Sequence, residues 1–261
     1  MYKFLILLLV FQFSFSQKKG IIFYGYVESL HEEGGKGPDY NAYTIFNSKQ
    51  SYYVTAKDSL ENAENKKDKF IANETGGGTF SLGGLKRSVT GDQVVYNIKE
   101  NTILSSFLFG KQHYIKEDAT KFNWKITNES KKVGNLVCNK ATTFFRGRNY
   151  IAWFTKAVPL PFGPWKLNGL PGLILEAYDT NKSVYWYFKN LEYPSINKEN
   201  VNNLRKPAKS KNIKLMSMSD YYNFQKEFVE KAKDKNKIYE KKFPGVIFGI
   251  EPINKIFVEF E

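Results

Sequence analysis

The chain has 261 residues, a formal net charge of +13 and a single cysteine, Cys138. One cysteine excludes an intrachain disulfide, so burial must hold the fold, and aromatic residues, 16% of the sequence, supply apolar area for it. The lysine excess suits an anionic envelope surface as partner, although lysines are as readily explained as a solvated exterior; two histidines and one cysteine far apart leave a zinc or copper centre short of ligands, and neither metal nor cofactor is expected.

The N-terminal stretch MYKFLILLLVFQFSFSQ sets Lys3 before an apolar run from Phe4 to Phe11 and closes on Ser14 and Ser16, the layout of a signal peptide over 1–16. A bilayer span takes ~20 apolar residues, whereas this run is interrupted at Gln12. The expectation is therefore an exported protein with no transmembrane segment in the mature chain, placed in the periplasm, on the outer membrane or outside the cell. No cysteine stands where a lipid anchor would need one, and export makes nucleic acid an unexpected partner. Residues 17–261 fit one domain.

Short stretches rich in Tyr, Phe, Val, Ile and Thr then recur with turns between them, the pattern of an antiparallel sheet. They are IIFYGYVES, AYTIFNSKQSYYVT, TFSLGGLKRSVT, QVVYNIKE, TILSSFLFG, QHYIKED and FNWKITNE, punctuated at Asn47-Ser48, Gly91-Asp92 and Gly110-Lys111. The polar segment 56–75 reads as an excursion from the sheet. Strands at 136–145 and 150–155 turn at Arg146-Gly147-Arg148-Asn149, and LILEAYD with SVYWYFKNLEY turns at Thr180-Asn181-Lys182. Basic clusters follow at 205–214 and from Lys231. One helix is predicted over 220–233, opened by Ser217-x-x-Asp220 as a capping box and carrying Tyr221, Phe224 and Phe228 on one apolar face. The closing alternation KIFVEFE predicts a final strand.

Between the last two hairpins lies AVPLPFGPWKLNGLPGLILEAY. Val158, Leu160 and Gly163 each precede a proline and are held away from helix. The segment is an ordered loop entering a strand near Gly172, and Phe162, Trp165, Leu167 and Leu170 give it enough apolar area to pack against the sheet. These residues carry a resemblance. The run Gly169, Leu170, Pro171, Gly172, Leu173, Ile174, preceded by Cys138, Lys140-Ala141, Arg146-Gly147-Arg148, Ala152-Trp153-Phe154-Thr155, Pro159 and Gly163-Pro164-Trp165-Lys166, is similar to the signature of the GLPGLI family. That family comprises exported proteins of Gram-negative bacteria named for the hexapeptide. The resemblance implies a periplasmic or secreted protein of unknown function, and it implies no catalytic or binding residues.

The candidate ligand-binding residues are Arg146, Arg148, Trp153, Trp165 and Glu176. Glu176 follows LIL in an apolar strand, where it either enters a cavity as an acid–base group or sits on the wet face beside a lysine. Arg146 and Arg148 flank Gly147, where two guanidinium groups can clamp a carboxylate or phosphate or serve as charged turn tips. Trp153, Trp165 and Trp186, with Tyr150, Tyr185 and Tyr187, either line a groove for a lipid, glycan or peptide or pack in the core. Cys138, between Val137 and Asn139 in a strand, reads as a buried small residue. Only His31 and His113 can serve as a histidine base, and no G-x-S-x-G elbow accompanies either.

The fold class read from these elements is mainly β: a strongly curved antiparallel sheet or half-open barrel, with the C-terminal helix on its concave face. In outline it is similar to periplasmic lipoprotein-carrier folds, an analogy of fold alone. The leading functional expectation is a non-enzymatic binding or carrier protein of the cell envelope for an apolar or peptidic ligand. Behind it stand an accessory partner of an outer-membrane transporter and then a hydrolase using Glu176 or His113, with no catalytic residue assigned.

Overall fold

The computed structural model describes residues 19–30, 34–60, 69–72, 78–81, 88–197, 201, 203–206, 214–245 and 249–260. The predicted leader, His31, residues 82–87 of TFSLGGLKRSVT, most of the basic stretch 205–214 and part of the polar excursion lie outside them. The strands are β1 (Gly20–Glu28), β2 (Asp39–Phe46), β3 (Gln50–Thr55), β4 (Lys69–Ala72), β5 (Gly78–Ser81), β6 (Asp92–Asn97), β7 (Thr102–Phe109) and β8 (Lys111–Asp118). They continue with β9 (Lys125–Val133), β10 (Leu136–Phe145), β11 (Arg148–Thr155), β12 (Leu173–Asp179), β13 (Val184–Glu192) and β14 (Leu215–Met216). Two helices follow, α1 (Met218–Lys242) and α2 (Ile253–Ile256).

Apart from the β4–β5 ladder, the strands form one 12-stranded sheet in the order β14-β8-β7-β6-β3-β2-β1-β13-β12-β11-β10-β9, antiparallel throughout except for β14 beside β8. Local chemistry sets the hairpins. Asn47 Oδ1 accepts from the backbone N–H of Lys49 and Gln50 at 2.8 and 3.0 Å, turning β2 into β3. Arg146 and Gly147 have φ of 45° and 75°, the pair of left-handed residues that a two-residue hairpin loop requires between β10 and β11.

Topology then forces the sheet to curl. Residues 119–124 carry the chain from β8 to β9, a bridge that reaches ~25 Å at most. In a flat sheet those strands, ten places apart in the order, would lie ~48 Å from each other. Register breaks at Phe23/Tyr24, Asn139/Ala141 and Trp153/Phe154 supply β-bulges, which bend and twist the strands that carry them. The result is an open, strongly bowed sheet, within the mainly β class expected.

Its inner face is filled by the proline-rich loop. Phe162 packs on Phe46 and Tyr96 with ring centroids 6.1 and 6.0 Å away, and Trp165 packs among Phe145, Tyr150 and Trp186 at 5.6, 6.2 and 5.8 Å. One loop thus touches β2, β6, β10, β11 and β13, which only a wrapped sheet permits. Hydrogen bonds pin the loop and the strand it enters: Tyr24 OH donates to the Ile174 carbonyl at 2.6 Å and Trp124 Nε1 to that of Asn168 at 2.7 Å. On the outer face Tyr52, Val54 and Val95 form a second core, packed by Val201 and Leu204.

The helix starts where the capping box placed it, with Ser217 and Asp220 bonded reciprocally, but it runs to Lys242 rather than stopping near 233. Its apolar face covers the same side as the loop through Tyr221, Tyr222 and Val229, and Phe109 meets Phe224 and Phe228 edge-on. Beyond that face the extension is sustained by exposed i,i+3 and i,i+4 pairs, Glu227–Lys231, Glu230–Lys233 and Asp234–Lys237, rather than by burial.

The expected final strand is corrected. KIFVEFE opens on the last turn of α2, and Phe257 to Phe260 form a tail outside the sheet that bends at Val258 and Glu259. Arg148 takes the place of a strand partner: it donates to the carbonyls of Asn254 in α2 and of Phe257 and Val258 in the tail, at 2.7, 3.3 and 3.1 Å. The alternation survives as burial, with Phe257 and Glu259 inside and Val258 half-exposed.

Candidate functional site

Between the inner face of the sheet, α1 and the C-terminal tail lies a cavity of about 130 Å³. Its aromatic wall is Tyr26, Tyr53, Trp165, Trp186 and Tyr221, and its polar groups include Glu28, Asp92, Gln225 and Glu259. The rings are fixed by one another. Trp186 is stacked between Tyr26 at 5.1 Å and Trp165 at 5.8 Å, and its Nε1 donates to Tyr53 OH at 2.8 Å. Trp165 itself has φ of 53°, a left-handed conformation uncommon for a bulky residue. It is held there by a turn in which Leu167 N donates to the Pro164 carbonyl at 3.1 Å.

Burial pushes the phenols of Tyr26, Tyr53 and Tyr221 well above their ordinary range, and nearby carboxylates push further: Glu28 on Tyr26, Asp92 and Glu28 on Tyr53, Glu259 and Asp92 on Tyr221. These phenols are therefore protonated, hydrogen-bonding walls at neutral pH.

Next to the cavity stands a cluster of four charges that the sequence did not announce. Lys166, whose side chain is fully buried, lies 2.6 Å from a carboxylate oxygen of Glu117 on β8 and 2.6 Å from one of Glu259 in the tail. Arg146, at the β10–β11 turn, pairs with the same two carboxylates. Burial raises the Glu117 carboxyl, but Lys166 and Arg146 outweigh it and hold the group below the usual carboxylate range. Two cations and two anions, drawn from the loop, a turn, a strand and the tail, close the bowed sheet across its mouth.

The structure separates the predicted site residues. Trp165 lines the cavity. Arg146 and Arg148 do clamp carboxylates, but those of this chain: Arg146 takes Glu117 and Glu259, and Arg148 takes Asp179 at 2.9 Å while holding the tail. Arg146 also borders an open groove with Phe144, Met218, Tyr222 and Phe260. Trp153 and Glu176 face each other across β11 and β12, one register step from Ala152 and Ala177, which sit on the cavity side beside Trp186; they therefore lie on the opposite face of the sheet. There Lys131 Nζ bonds Glu176 at 2.8 Å and stands 4.5 Å from the centre of the Trp153 ring. Glu176 is thus on the wet-face alternative, beside a lysine. Glu176→Gln is expected to cost no more than about 1 kcal/mol in a urea melt, as for a partly exposed ion pair.

His113 and Cys138 are also away from the cavity. His113 packs its ring 4.4 Å from that of Phe224, its Nε2 meets the Phe109 carbonyl at 3.1 Å, and burial lowers its pKa. Cys138 is fully buried, and burial pushes its thiol up to about 11, so it is no nucleophile at neutral pH. No group of three or more histidine, cysteine or acidic side chains suited to a metal ion occurs among the described residues, and no described helix is long and apolar enough to cross a membrane.

A family model described as a protein of unknown function (Porph_ging) matches residues 146–176, the segment that carries both arginines, the loop and Lys166. Comparison with curated proteins found no match. Among solved structures, PNGF-II in its P21 and C2 space groups is similar at 18% and 20% identity, with TM-scores of 0.49 and 0.50, over 79% and 78% of this chain. The chain spans about a third of those structures, 32% of each, and the likeness bears on the fold alone.

Proposed function

We propose that this chain is an exported cell-envelope protein of the GLPGLI type whose single domain, 17–261, is a non-enzymatic binding module. The observation that carries the proposal is the cavity: at about 130 Å³ it is smaller than the ~300–1,000 Å³ of drug-sized sites, but it joins an aromatic wall to a few converging polar groups as they do. His113 and Glu176, the candidates for hydrolysis, do not line it. The apolar run before Gln17 supports export, and the hexapeptide 169–174 inside the matched segment supports the family.

Size narrows the ligand. About 130 Å³ is close to the ~150 Å³ cavity that accommodates benzene. The pocket therefore takes one side-chain-sized group, which favours a peptidic ligand or the head of a small molecule over a whole acyl chain.

Trp165 and Trp186 make the cavity self-reporting. Titration with small aromatic and aliphatic probes, such as benzyl alcohol and N-acetyl amino-acid amides, is expected to change indole emission saturably, with Kd near 1 mM for guests of this size. Leu30→Trp, which fills the cavity from a wall position, should abolish the response while leaving the far-ultraviolet circular dichroism intact. A response that never saturates, or one that persists in a folded Leu30→Trp variant, would sink the binding reading.

A further inference from the structure

Resting on that reading, we propose that the cavity selects a positively charged nitrogen group, an ammonium or amidinium head on a side-chain-sized body. The chain carries 39 lysines and arginines, yet neither type lines the cavity, whereas Glu28, Asp92 and Glu259 do. In so basic a protein this is a marked segregation of charge.

The three carboxylates differ in what already meets them. Glu259 is answered by Lys166 and Arg146. Asp92 accepts from the Leu108 backbone N–H at 2.9 Å. Glu28 accepts only from a neutral phenol, Tyr26 OH, at 3.1 Å, and makes no ion pair among the described residues. The charge of Glu28 is thus met by no cation among the described residues.

Gln225, completely buried behind the same wall, donates from Nε2 to the Glu259 carbonyl at 2.8 Å and lies against the Tyr221 phenol, so it adds neutral polarity and no positive charge.

The remaining wall is aromatic faces, which attract cations through the ring quadrupole. Lys166 already shows this with the protein's own charge: its Nζ stands 5.8 Å from the centre of the Trp165 ring and 5.4 Å from that of Phe107. Acceptors, unanswered negative charge and π faces together describe a cation's environment. An anion would meet the carboxylates directly, and a neutral guest would gain only the apolar contact.

The probes that test this are n-butylammonium, 1-butanol and butyrate, followed by indole emission and by the indole N–H signals of Trp165 and Trp186 in NMR. Butylammonium is expected to bind the unmodified protein at least about tenfold more tightly than butanol at low salt, with butyrate weaker than either, and 0.5 M NaCl should erode the preference. Glu28→Gln should lower the ratio of ammonium to butanol affinity about fivefold; circular dichroism establishes that this variant is folded. Butanol binding as tightly as butylammonium, or butyrate binding more tightly than butanol, overturns the charge preference and leaves the binding module standing. No saturable shift with any of the three overturns both.

Discussion

Lys166→Met is expected to be among the most destabilising single substitutions in this protein, costing about 3–5 kcal/mol, the range for removing one partner of a buried ion pair. The lysine side chain is wholly buried, and methionine, of similar length, replaces its stem without a cavity. What is lost is charge: Glu117 and Glu259 are left against each other, with Arg146 alone to neutralise both. For a domain of this size each kcal/mol lowers Tm by roughly 2–4 °C, so the variant should melt on the order of 10 °C below the parent. The double variant Lys166→Met/Glu117→Gln restores one cation to one anion and should recover part of the loss, giving a non-additive cycle. Equal or additive losses would show that packing, not charge balance, carries the effect.

The same cluster sets a limit at low pH. Glu117 has its folded pKa below the ordinary value of 4.5. Its contribution to stability is therefore fully present above that value and is lost as pH falls through the lower folded one. Thermal melts should show stability falling below about pH 4.5, and Glu117→Gln should flatten that limb while lowering stability at pH 7.

The cluster also shows where sequence reading stops. Lysine is almost never fully buried, and Lys166 has its partners on β8 and in the tail, so nothing near it in sequence announces them. The arginines were legible as clamps, since Gly147 between them marks a hairpin, but which carboxylates they hold depends on the curl of the sheet. That curl rests on strand order, which the alternation of residues does not encode: β1 pairs with β13, and β8 lies ten places from β9. The tail differs for a related reason: its alternation separates two faces, of which Phe257 and Glu259 are the buried one, and carries no information on whether the segment pairs with a strand. The proline-rich loop was the most legible element, since its breakers and its apolar residues act locally.

Gly172→Ala is the second large effect, and it gives the hexapeptide 169–174 a structural role. A Cβ at position 172 would stand 2.1 Å from the Thr155 carbonyl oxygen and 3.2 Å from the Lys156 Cα. Both are backbone atoms of the strand end beside which the loop re-enters the sheet, so no side-chain rotation relieves the clash. The loop must lift, and with it Leu170, Leu173 and Ile174, all essentially buried. Overpacking costs about 1–3 kcal/mol where side chains can yield; with backbone on both sides the cost should reach or pass the upper end, and Trp165 emission should shift to the red as the loop loosens. Gly110→Ala is the contrast: its φ of 65° is left-handed, as that of Gly172 is not, and nothing lies within 4 Å of the added atom, so only the conformational cost of about 1–2 kcal/mol applies. If Gly172→Ala leaves Tm unchanged, close approach is not what Gly172 provides. If Gly172→Ala lowers Tm and also weakens guest binding in the cavity that Trp165 lines, Gly172 is a means by which the loop builds that wall.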